Sequence, residues 1–255
     1  MFRASSFRLR MFEQCPRRYK FHYVDDLART YARPRPYYTM GDHVHAALRD
    51  FMSSVPVEDR TASRLEELLR EKWRRYRRGF ADRDEEKLWG ERALGQVRWF
   101  AESQDLSITP LMVEDYHTAE LSPLVTLIGR IDRVDREPEG GLHIIDYKTG
   151  RMPEEIDSTQ LHVYALILSR TQDTPVTGAS YLYLDAGEMR TLHPTPERLE
   201  EAAEDVLAAV DTILAEREYP AIVGGHCRLC DFVEICPRQD EAVAYLSDRQ
   251  ELDFD

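Results

Sequence analysis

The sequence predicts an α/β fold in which a mixed central sheet is flanked by helices. Two strand-like segments joined by a turn lie in the middle of the chain, and amphipathic segments precede and follow them. Helices before and after a central group of strands are typical of α/β and α+β cores. The 255 residues suffice for one large domain with an appended subdomain, and we predict a single domain over 1–255.

Composition narrows the class of protein. Hydrophobic residues make up 42% and charged residues 32% of the chain, as in globular rather than disordered proteins. No apolar run approaches the ~20 residues of a membrane span, and the N-terminal segment lacks the apolar core of a secretory signal. We therefore expect a cytoplasmic protein without a membrane partner. The net charge of −13 argues against a generic nucleic-acid coat protein, although a local basic surface matters more than the total.

Periodic apolar residues predict helices in the N-terminal part of the chain. Residues 5–30 look helical, with Ser5 or Ser6 as the N-cap. Residues 40–52 place their apolar side chains on one face of a second helix. The charged segment 61–104 predicts a helical insertion made of two helices, with a break near 79–83.

Strand patterns follow in the middle of the chain. Segment 125–135 alternates β-branched residues, segment 142–149 is an apolar run with a charged end, and the turn signal at 137–141 joins them into a hairpin. We expect this hairpin to belong to a sheet core within 105–195. The remaining predicted elements are a strand at 180–187 and helices at 157–171 and 195–217.

Ionisable residues collect at one end of the predicted hairpin. Asp146 and Lys148 lie two residues apart and therefore share one face of their strand. Folding the hairpin about Glu139 sets Asp132 opposite Asp146, where two like charges destabilise each other. A divalent cation between the carboxylates would reverse the sign of that interaction. This pattern predicts a metal site at the end of the hairpin.

A structural ion network is the alternative interpretation, formed by Asp132, Asp146 and Lys148 with Arg130 and Arg133 nearby. The D-x-K pattern alone is weak. Gln160 and Tyr164 strengthen the metal-site hypothesis, since their i, i+4 spacing points both from one helix face toward Lys148 or a bound phosphate.

A histidine near the start of the second helix offers a further ligand. His45 supplies an imidazole suited to a divalent metal, with His43 as an adjacent competitor and ordinary core packing as the alternative. Glu114, on the strand before the hairpin, would add a carboxylate, and it is equally well a surface residue beside Asp115.

These residues form an ordered set that resembles the motifs of RecB-like nucleases of the PD-(D/E)XK superfamily. The matching segments are Gly41-x-x-x-His45, Gly129-Arg-Ile-Asp-Arg133, Ile145-Asp-Tyr-Lys-Thr-Gly150 and Gln160-Leu-x-x-Tyr164. The resemblance implies a restriction-endonuclease-like core and hydrolysis of DNA phosphodiester bonds. It also implies that Mg²⁺ or Mn²⁺ is bound by the following groups: His45, Asp132, Asp146 and the backbone carbonyl of Tyr147. By the same resemblance Lys148 assists the attacking water, and Gln160 and Tyr164 position the lysine or the DNA.

The chain has four cysteines, and they form a pattern of their own: Cys15, Cys227, Cys230 and Cys236. In a protein expected in the cytoplasm, this spacing favours a metal site over disulfides. A Cys₄ site suits zinc or an iron–sulfur cluster, and unrelated buried cysteines are the third possibility.

The distribution of one cysteine before the core and three after it, with two Cys-Pro pairs, narrows these choices. It resembles the 4Fe–4S arrangement of AddB-type helicase–nuclease subunits and of CRISPR-associated exonucleases of spacer acquisition. That resemblance implies a cluster subdomain formed jointly by 1–40 and 218–240, which ties the two ends of the chain together.

Two basic runs are candidates for DNA binding. One contains Arg17, Arg18 and Lys20, and the other contains Arg74 and Arg75 among aromatic residues. Each is equally well a solvated helix face.

Together these patterns predict a metal-dependent DNA exonuclease acting on single-stranded DNA or DNA ends, in repair, recombination or CRISPR spacer processing. A helicase or CRISPR integration proteins are the expected partners, because the chain has no nucleotide-binding P-loop of its own. The alternatives are a catalytically inactive DNA-binding scaffold with a nuclease fold and a nuclease in which zinc replaces the cluster.

Overall fold

The computed structural model describes residues 1–250, which divide into two compact units. The first unit contains Met1 and Pro34–Glu204. The second contains Phe2–Arg33 and the chain from Asp205 onward. Residues 251–255, which the single-domain prediction includes, lie outside the described residues.

The helices of the first unit begin and end close to their predicted positions. Their bounds are Pro36–Ser54 (α4), Ala62–Arg75 (α5), Arg83–Ser103 (α6) and Thr159–Thr171 (α7), and Pro196–Ala215 (α8) continues into the second unit. Side-chain caps start two of them, since Thr61 accepts from the Arg64 N–H and Asp82 from the Glu85 N–H. Gly79, with φ of +87°, lies in the predicted break between α5 and α6, where a Cβ would meet the Arg35 backbone.

A mixed sheet forms the centre of the first unit, as the sequence predicts. Its strands are Met112–Ser122 (β2), Val125–Arg136 (β3), Leu142–Lys148 (β4), Val176–Tyr183 (β5) and Glu188–Leu192 (β6). β3 pairs antiparallel with both β2 and β4, β4 pairs parallel with β5, and β5 pairs antiparallel with β6. Helix α7 supplies the crossover that a parallel pair requires.

The predicted hairpin register is confirmed. Arg133 pairs with Ile145 and Val134 with Ile144, which centres the β3–β4 hairpin on Glu139. Continued by one residue, this register sets Asp132 opposite Asp146. The two carboxylates therefore come together at the end of the paired region, next to the helices that cover the sheet.

Both faces of the sheet are covered. One core packs α4, α5 and α6 against Ile145, Tyr147 and Leu182, and the other packs α7 against Ile131 and Ile144. Since consecutive residues of β4 point to opposite cores, the ionisable residues at its end lie in a poorly solvated environment.

A buried arginine secures the loop between α4 and α5. Nε of Arg60 donates to the Val55 carbonyl at 3.0 Å and Nη2 to the Met52 carbonyl at 2.9 Å. Nη1 donates to the carbonyls of Leu106 at 2.9 Å and Ile108 at 2.8 Å. One side chain thus satisfies four carbonyl groups from the end of α4 and the segment that leads into β2.

The second unit contains shorter elements. They are Phe2–Ala4 (β1), Ser6–Gln14 (α1), Pro16–Tyr19 (α2), a π-helical turn at Lys20–Val24, Ala28–Tyr31 (α3) and Gln239–Gln250 (α9). The predicted N-cap is confirmed as Ser5, whose hydroxyl accepts from the Arg8 N–H. The helix predicted over 5–30 is interrupted at Cys15, because this residue is extended and Pro16 starts a new helix.

Strand β6 has no counterpart in the sequence prediction. Its polar residues are mostly exposed, so it lacks the alternation of a half-buried strand. None of the helices within the described residues has the length and apolarity needed to cross a membrane.

Candidate active site

Three possible metal ligands converge where α4 meets the end of the β3–β4 hairpin. His45 Nδ1 lies 3.3 Å from Asp132 Oδ1 and 3.4 Å from Glu114 Oε1. The ligand atoms of the three residues all lie within 4.8 Å of one another. Two carboxylates and an imidazole at this separation are suited to bind a divalent cation.

Local backbone geometry positions two of these ligands. Asp132 is buried, and its Oδ2 accepts a 2.8 Å hydrogen bond from the Tyr147 backbone N–H across the hairpin. Gly41 lies one helical turn before His45, and a Cβ at that position would lie 3.2 Å from Thr149 Oγ1. The glycine therefore lets α4 approach the segment that follows β4.

Glu114 reaches the cluster through an irregularity in β2. The β2–β3 pairing includes Val113 and Asp115 but omits Glu114, whose φ is +55°. This conformation is uncommon for a residue with a side chain and is found where function demands it. The carboxylate is 7% exposed, and its Oε2 lies 2.7 Å from Arg130 Nε. The alternative of a surface residue is therefore wrong for Glu114, although it holds for the exposed Asp115.

The structure distinguishes the two neighbouring histidines. His43 is buried on another face of α4, where its Nε2 lies 2.9 Å from the Tyr76 carbonyl and its ring packs against Trp73. His45 is the histidine that faces the carboxylates. The competing assignment of His43 is wrong, because its ring serves to hold the segment after α5.

A second polar group joins β4 to α7 beside this cluster. Lys148 Nζ lies 2.6 Å from Asp146 Oδ2 and donates to Gln160 Oε1 at 2.8 Å. Gln160 Nε2 lies 2.9 Å from Asp146 Oδ1 and 2.7 Å from the Tyr164 hydroxyl. One amide thereby fixes the positions of the carboxylate and of the ammonium group. Gln160 and Tyr164 thus share one face of α7, as their spacing predicts, and Gln160 is the one that bonds Lys148.

Burial and charge shift the pKa values of both groups. Burial, reinforced by repulsion from Asp132, raises the pKa of Asp146 to about 6, although Lys148 opposes the shift. Burial alone would lower the pKa of His45, but Asp132 and Glu114 raise it to about 10. In the absence of a metal ion, a protonated imidazole therefore balances part of the negative charge of the carboxylates.

The donor set fits a divalent ion. Its members are hard carboxylate oxygens and one imidazole nitrogen, which suit Mg²⁺ or Mn²⁺. Asp146 Oδ2 is buried and faces Lys148 Nζ at 2.6 Å. A carboxylate oxygen accepts at more than one lone pair, so this contact leaves a position for a metal ion as well.

A cavity of about 850 Å³ opens beside His45 and Asp132. Its walls include the following aromatic and basic residues: Tyr37, Tyr38, Trp89, Arg49, Arg92, Arg130 and Arg151. No pattern in the sequence singles out the wall residues from α4 and α6. They come from separate segments, and no spacing rule connects them before the helices are packed.

The four cysteines line one small cavity of the second unit, together with Arg17 and Arg18. All four are free thiols. The backbone N–H groups of Arg18 and Ile222 each lie 3.5 Å from Cys15 Sγ.

The other predicted DNA-binding residues lie elsewhere. Lys20 Nζ is 2.6 Å from Asp25. Arg74 and Arg75 are exposed in the last turn of α5.

The match to a known family agrees with this geometry. Residues 3–237 match the family model described as the PD-(D/E)XK nuclease superfamily. Among solved structures, the chain is similar to a candidate exonuclease from Eubacterium rectale, with a TM-score of 0.43 and 14% identity over 78% of this chain and 72% of that one. The match to the protein SSO0001 has a TM-score of 0.36 and 21% identity, and covers 50% of this chain and 60% of the length of SSO0001. No curated protein matches the chain.

Proposed function

The chain belongs to the PD-(D/E)XK nuclease superfamily, and we propose that it is a metal-dependent exonuclease acting on single-stranded DNA or DNA ends. One observation carries the proposal: His45, Glu114 and Asp132 converge beside the buried Asp146–Lys148 pair. Without a metal ion, the three carboxylates are balanced by the His45 imidazolium, Lys148 and Arg130. The feature that favours a metal site over a structural ion network is that Asp132 and Glu114 both approach one imidazole nitrogen, as ligands of a single ion would.

The residues that would hold Mg²⁺ or Mn²⁺ are His45, Asp132 and Asp146, with Glu114 and the Tyr147 carbonyl as further ligands. When bound, such an ion lowers the pKa of a coordinated water and stabilises the charge that develops on the phosphate. Asp132 is held in place by the Tyr147 N–H, so the first carboxylate is already oriented before an ion arrives.

Lys148 supplies the positive charge next to the attacking water. Its ammonium group is held between Asp146 and Gln160, so it has little freedom to move away from the reacting phosphate. Gln160 in turn is fixed by the Tyr164 hydroxyl. In this proposal Lys148 orients the water and stabilises the transition state, while Gln160 and Tyr164 are positioning residues.

The four cysteines are proposed to hold a 4Fe–4S cluster. Thiolates are the ligands that such clusters use, and all four line one cavity. The proposed subdomain combines 1–40 with 218–240, and its role is structural.

Several finer predictions accompany this proposal. Arg17, Arg18 and Lys20, with Arg74 and Arg75, are proposed to contact DNA. The biological setting is repair, recombination or CRISPR spacer processing in the cytoplasm, beside a helicase or integration proteins.

The decisive experiment compares end-labelled linear and circular single-stranded DNA, incubated with purified protein and Mn²⁺ or with a chelator. We expect Mn²⁺-dependent release of nucleotides from the linear strand and survival of the circle. Binding without cleavage, under every metal condition, would favour the inactive scaffold. Cleavage of the circle at the same rate would contradict the exonuclease assignment.

A further inference from the structure

A second cavity, of about 680 Å³, lies between α5 and α6. Its floor is apolar, with Leu69 and Trp73 from α5 and Leu94 from α6. We call this cavity the α5–α6 groove. It shares no lining residue with the cavity beside the metal ligands, although both are bounded by α6. Nothing in the proposed hydrolysis uses it.

The walls of the α5–α6 groove are basic in a chain whose net charge is −13. The lining cations are Arg70, Arg74, Arg77, Arg83 and Lys87. Glu86 and Glu91 are the lining carboxylates, so positive charge exceeds negative charge there. Such a local excess attracts an anionic ligand in spite of the total charge.

Most of these cations are available to a ligand. Within the described residues, Arg74 and Arg83 make no ion pair, and Nε of Arg74 donates only to a backbone carbonyl of its own helix. Arg77 lies 3.6 Å from Glu86, and Lys87 lies 3.8 Å from Glu91. Long, exposed pairs of this kind contribute little and are readily exchanged for a phosphate.

Two contacts fix the position of Trp73 in the floor of the α5–α6 groove. The Trp73 indole donates to Glu86 at 3.2 Å and stacks on Phe80 with an interplanar angle of 21°. Opposite it stands Gly90, where a Cβ would lie 3.8 Å from the indole without a clash. A glycine there leaves space above the floor that a larger side chain would fill.

We propose that the α5–α6 groove binds a segment of single-stranded nucleic acid at a distance from the reacting phosphate. Cations along the walls match a phosphodiester backbone, and an apolar floor matches bases that have no pairing partner. Trp89 and Arg92 of the same helix line the active-site cavity, so a strand that crosses α6 reaches both sites. The proposal deepens the proposed nuclease function, on which it rests for the identity of the strand.

The test measures binding of a fluorescent single-stranded oligonucleotide by anisotropy in a chelator, so that no cleavage occurs. The groove variant is Arg74→Gln with Arg77→Gln. The matched control is Arg64→Gln with Arg136→Gln, which removes two arginines outside both cavities; the Arg64 side chain is 42% exposed, and Arg136 is exposed. Thermal melting confirms that each variant is folded.

For the groove variant we expect roughly 25-fold weaker binding at 0.1 M salt, and a salt slope lower by about 1.4, since each phosphate contact on a single strand contributes ~0.7. The control should bind like the unaltered chain. Gly90→Leu should weaken binding while leaving the salt slope unchanged, because it fills space without removing charge.

Equal affinities of the groove variant and the control would overturn the proposal. The proposal would also be overturned if a free nucleoside triphosphate displaced the strand at a concentration equal to the strand's dissociation constant. The groove would then be a nucleotide site. Cleavage with Mn²⁺ is measured separately. If the groove variants lose binding and no protein cleaves DNA, the nuclease function is wrong and the groove proposal is supported. If the unaltered chain cleaves DNA and the groove variants bind normally, the groove proposal is wrong and the nuclease function is supported.

Discussion

The backbone N–H of Tyr147 donates a 2.8 Å hydrogen bond to Oδ2 of Asp132 and so joins the two strands at the edge of the proposed metal site. The bond draws the carboxylate toward β4, while its other oxygen faces His45 at 3.3 Å. Its effect is to orient a ligand before any ion binds, which reduces the free-energy cost of assembling the site. The β3–β4 hairpin therefore both forms part of the sheet and positions the Asp132 carboxylate.

Glu114 is predicted to be a metal ligand. Glu114→Gln removes one negative charge from the cluster and should weaken Mn²⁺ binding about tenfold, the lower end of what loss of a supporting group costs a metal site. Isothermal titration calorimetry measures the affinity. The matched control is Asp115→Asn, because this neighbour is exposed. Equal affinities for the two variants would show that Glu114 only neutralises Arg130.

Proton release provides a second test of the cluster. The pKa of His45 is raised from 6.5 to about 10 in the folded chain without metal. Its proton therefore stabilises that state fully below pH 6.5, and the contribution is lost as the pH rises through about 10. Near pH 8, Mn²⁺ binding should expel about one proton.

Calorimetry in buffers of different ionisation enthalpy counts that proton. His45→Ala should bind Mn²⁺ more weakly and release no proton from this position. Proton release unchanged in His45→Ala would assign the titrating group elsewhere.

Gln160 is predicted to act through Lys148. Gln160→Ala leaves both Asp146 and Lys148 without their shared partner, so the lysine should lose its fixed position and kcat should fall by about 10²-fold, as for other misplaced catalytic groups. KM should change little. Single-turnover cleavage measures this split, and Ser169→Ala, on the same helix, is the control. A rise in KM with unchanged kcat would instead place Gln160 in substrate binding.

The sequence predicted the hairpin and its register because turn chemistry and alternation are local signals. The predicted register also placed Asp132 opposite Asp146. The role of Glu114 was not decidable in this way, since it depends on a residue with positive φ that leaves the β2–β3 pairing. Asp115 is exposed and the Glu114 side chain is buried because of that one backbone conformation.

The α5–α6 groove and the wall of the active-site cavity illustrate a second limit. The periodicity of 61–104 predicted two helices, and the structure confirms them. It did not indicate that α6 would contribute Trp89 to one cavity and Lys87 to another. Each residue's cavity depends on how α6 is rotated about its axis against the neighbouring helices. That rotation is set by the packing of the cores.

Arg60 is predicted to be a major source of stability in the first unit. Arg60→Met keeps an apolar stem but leaves four carbonyls without this donor, two of them in buried bonds, and each orphaned group costs ~1–3 kcal/mol where water cannot replace it. We expect a loss of about 3–5 kcal/mol in the free energy of unfolding, comparable to breaking a buried ion pair. Urea denaturation measures the loss. Arg64→Met, on α5 where the arginine side chain is 42% exposed, should cost less than about 0.5 kcal/mol. Similar costs for both would mean that water satisfies the carbonyls.

The cysteine cavity is predicted to serve stability rather than the hydrolytic step. Cys230→Ser removes one of four thiolates, so anaerobically purified protein should lose iron and visible absorption and melt at a lower temperature. Asp146→Ala should retain iron, absorption and melting temperature while losing cleavage. Metal analysis, absorption spectra and thermal melting on both variants separate the two roles. Stoichiometric zinc and a colourless unaltered protein would rule out the cluster, and loss of absorption in Asp146→Ala would contradict the division between the two sites.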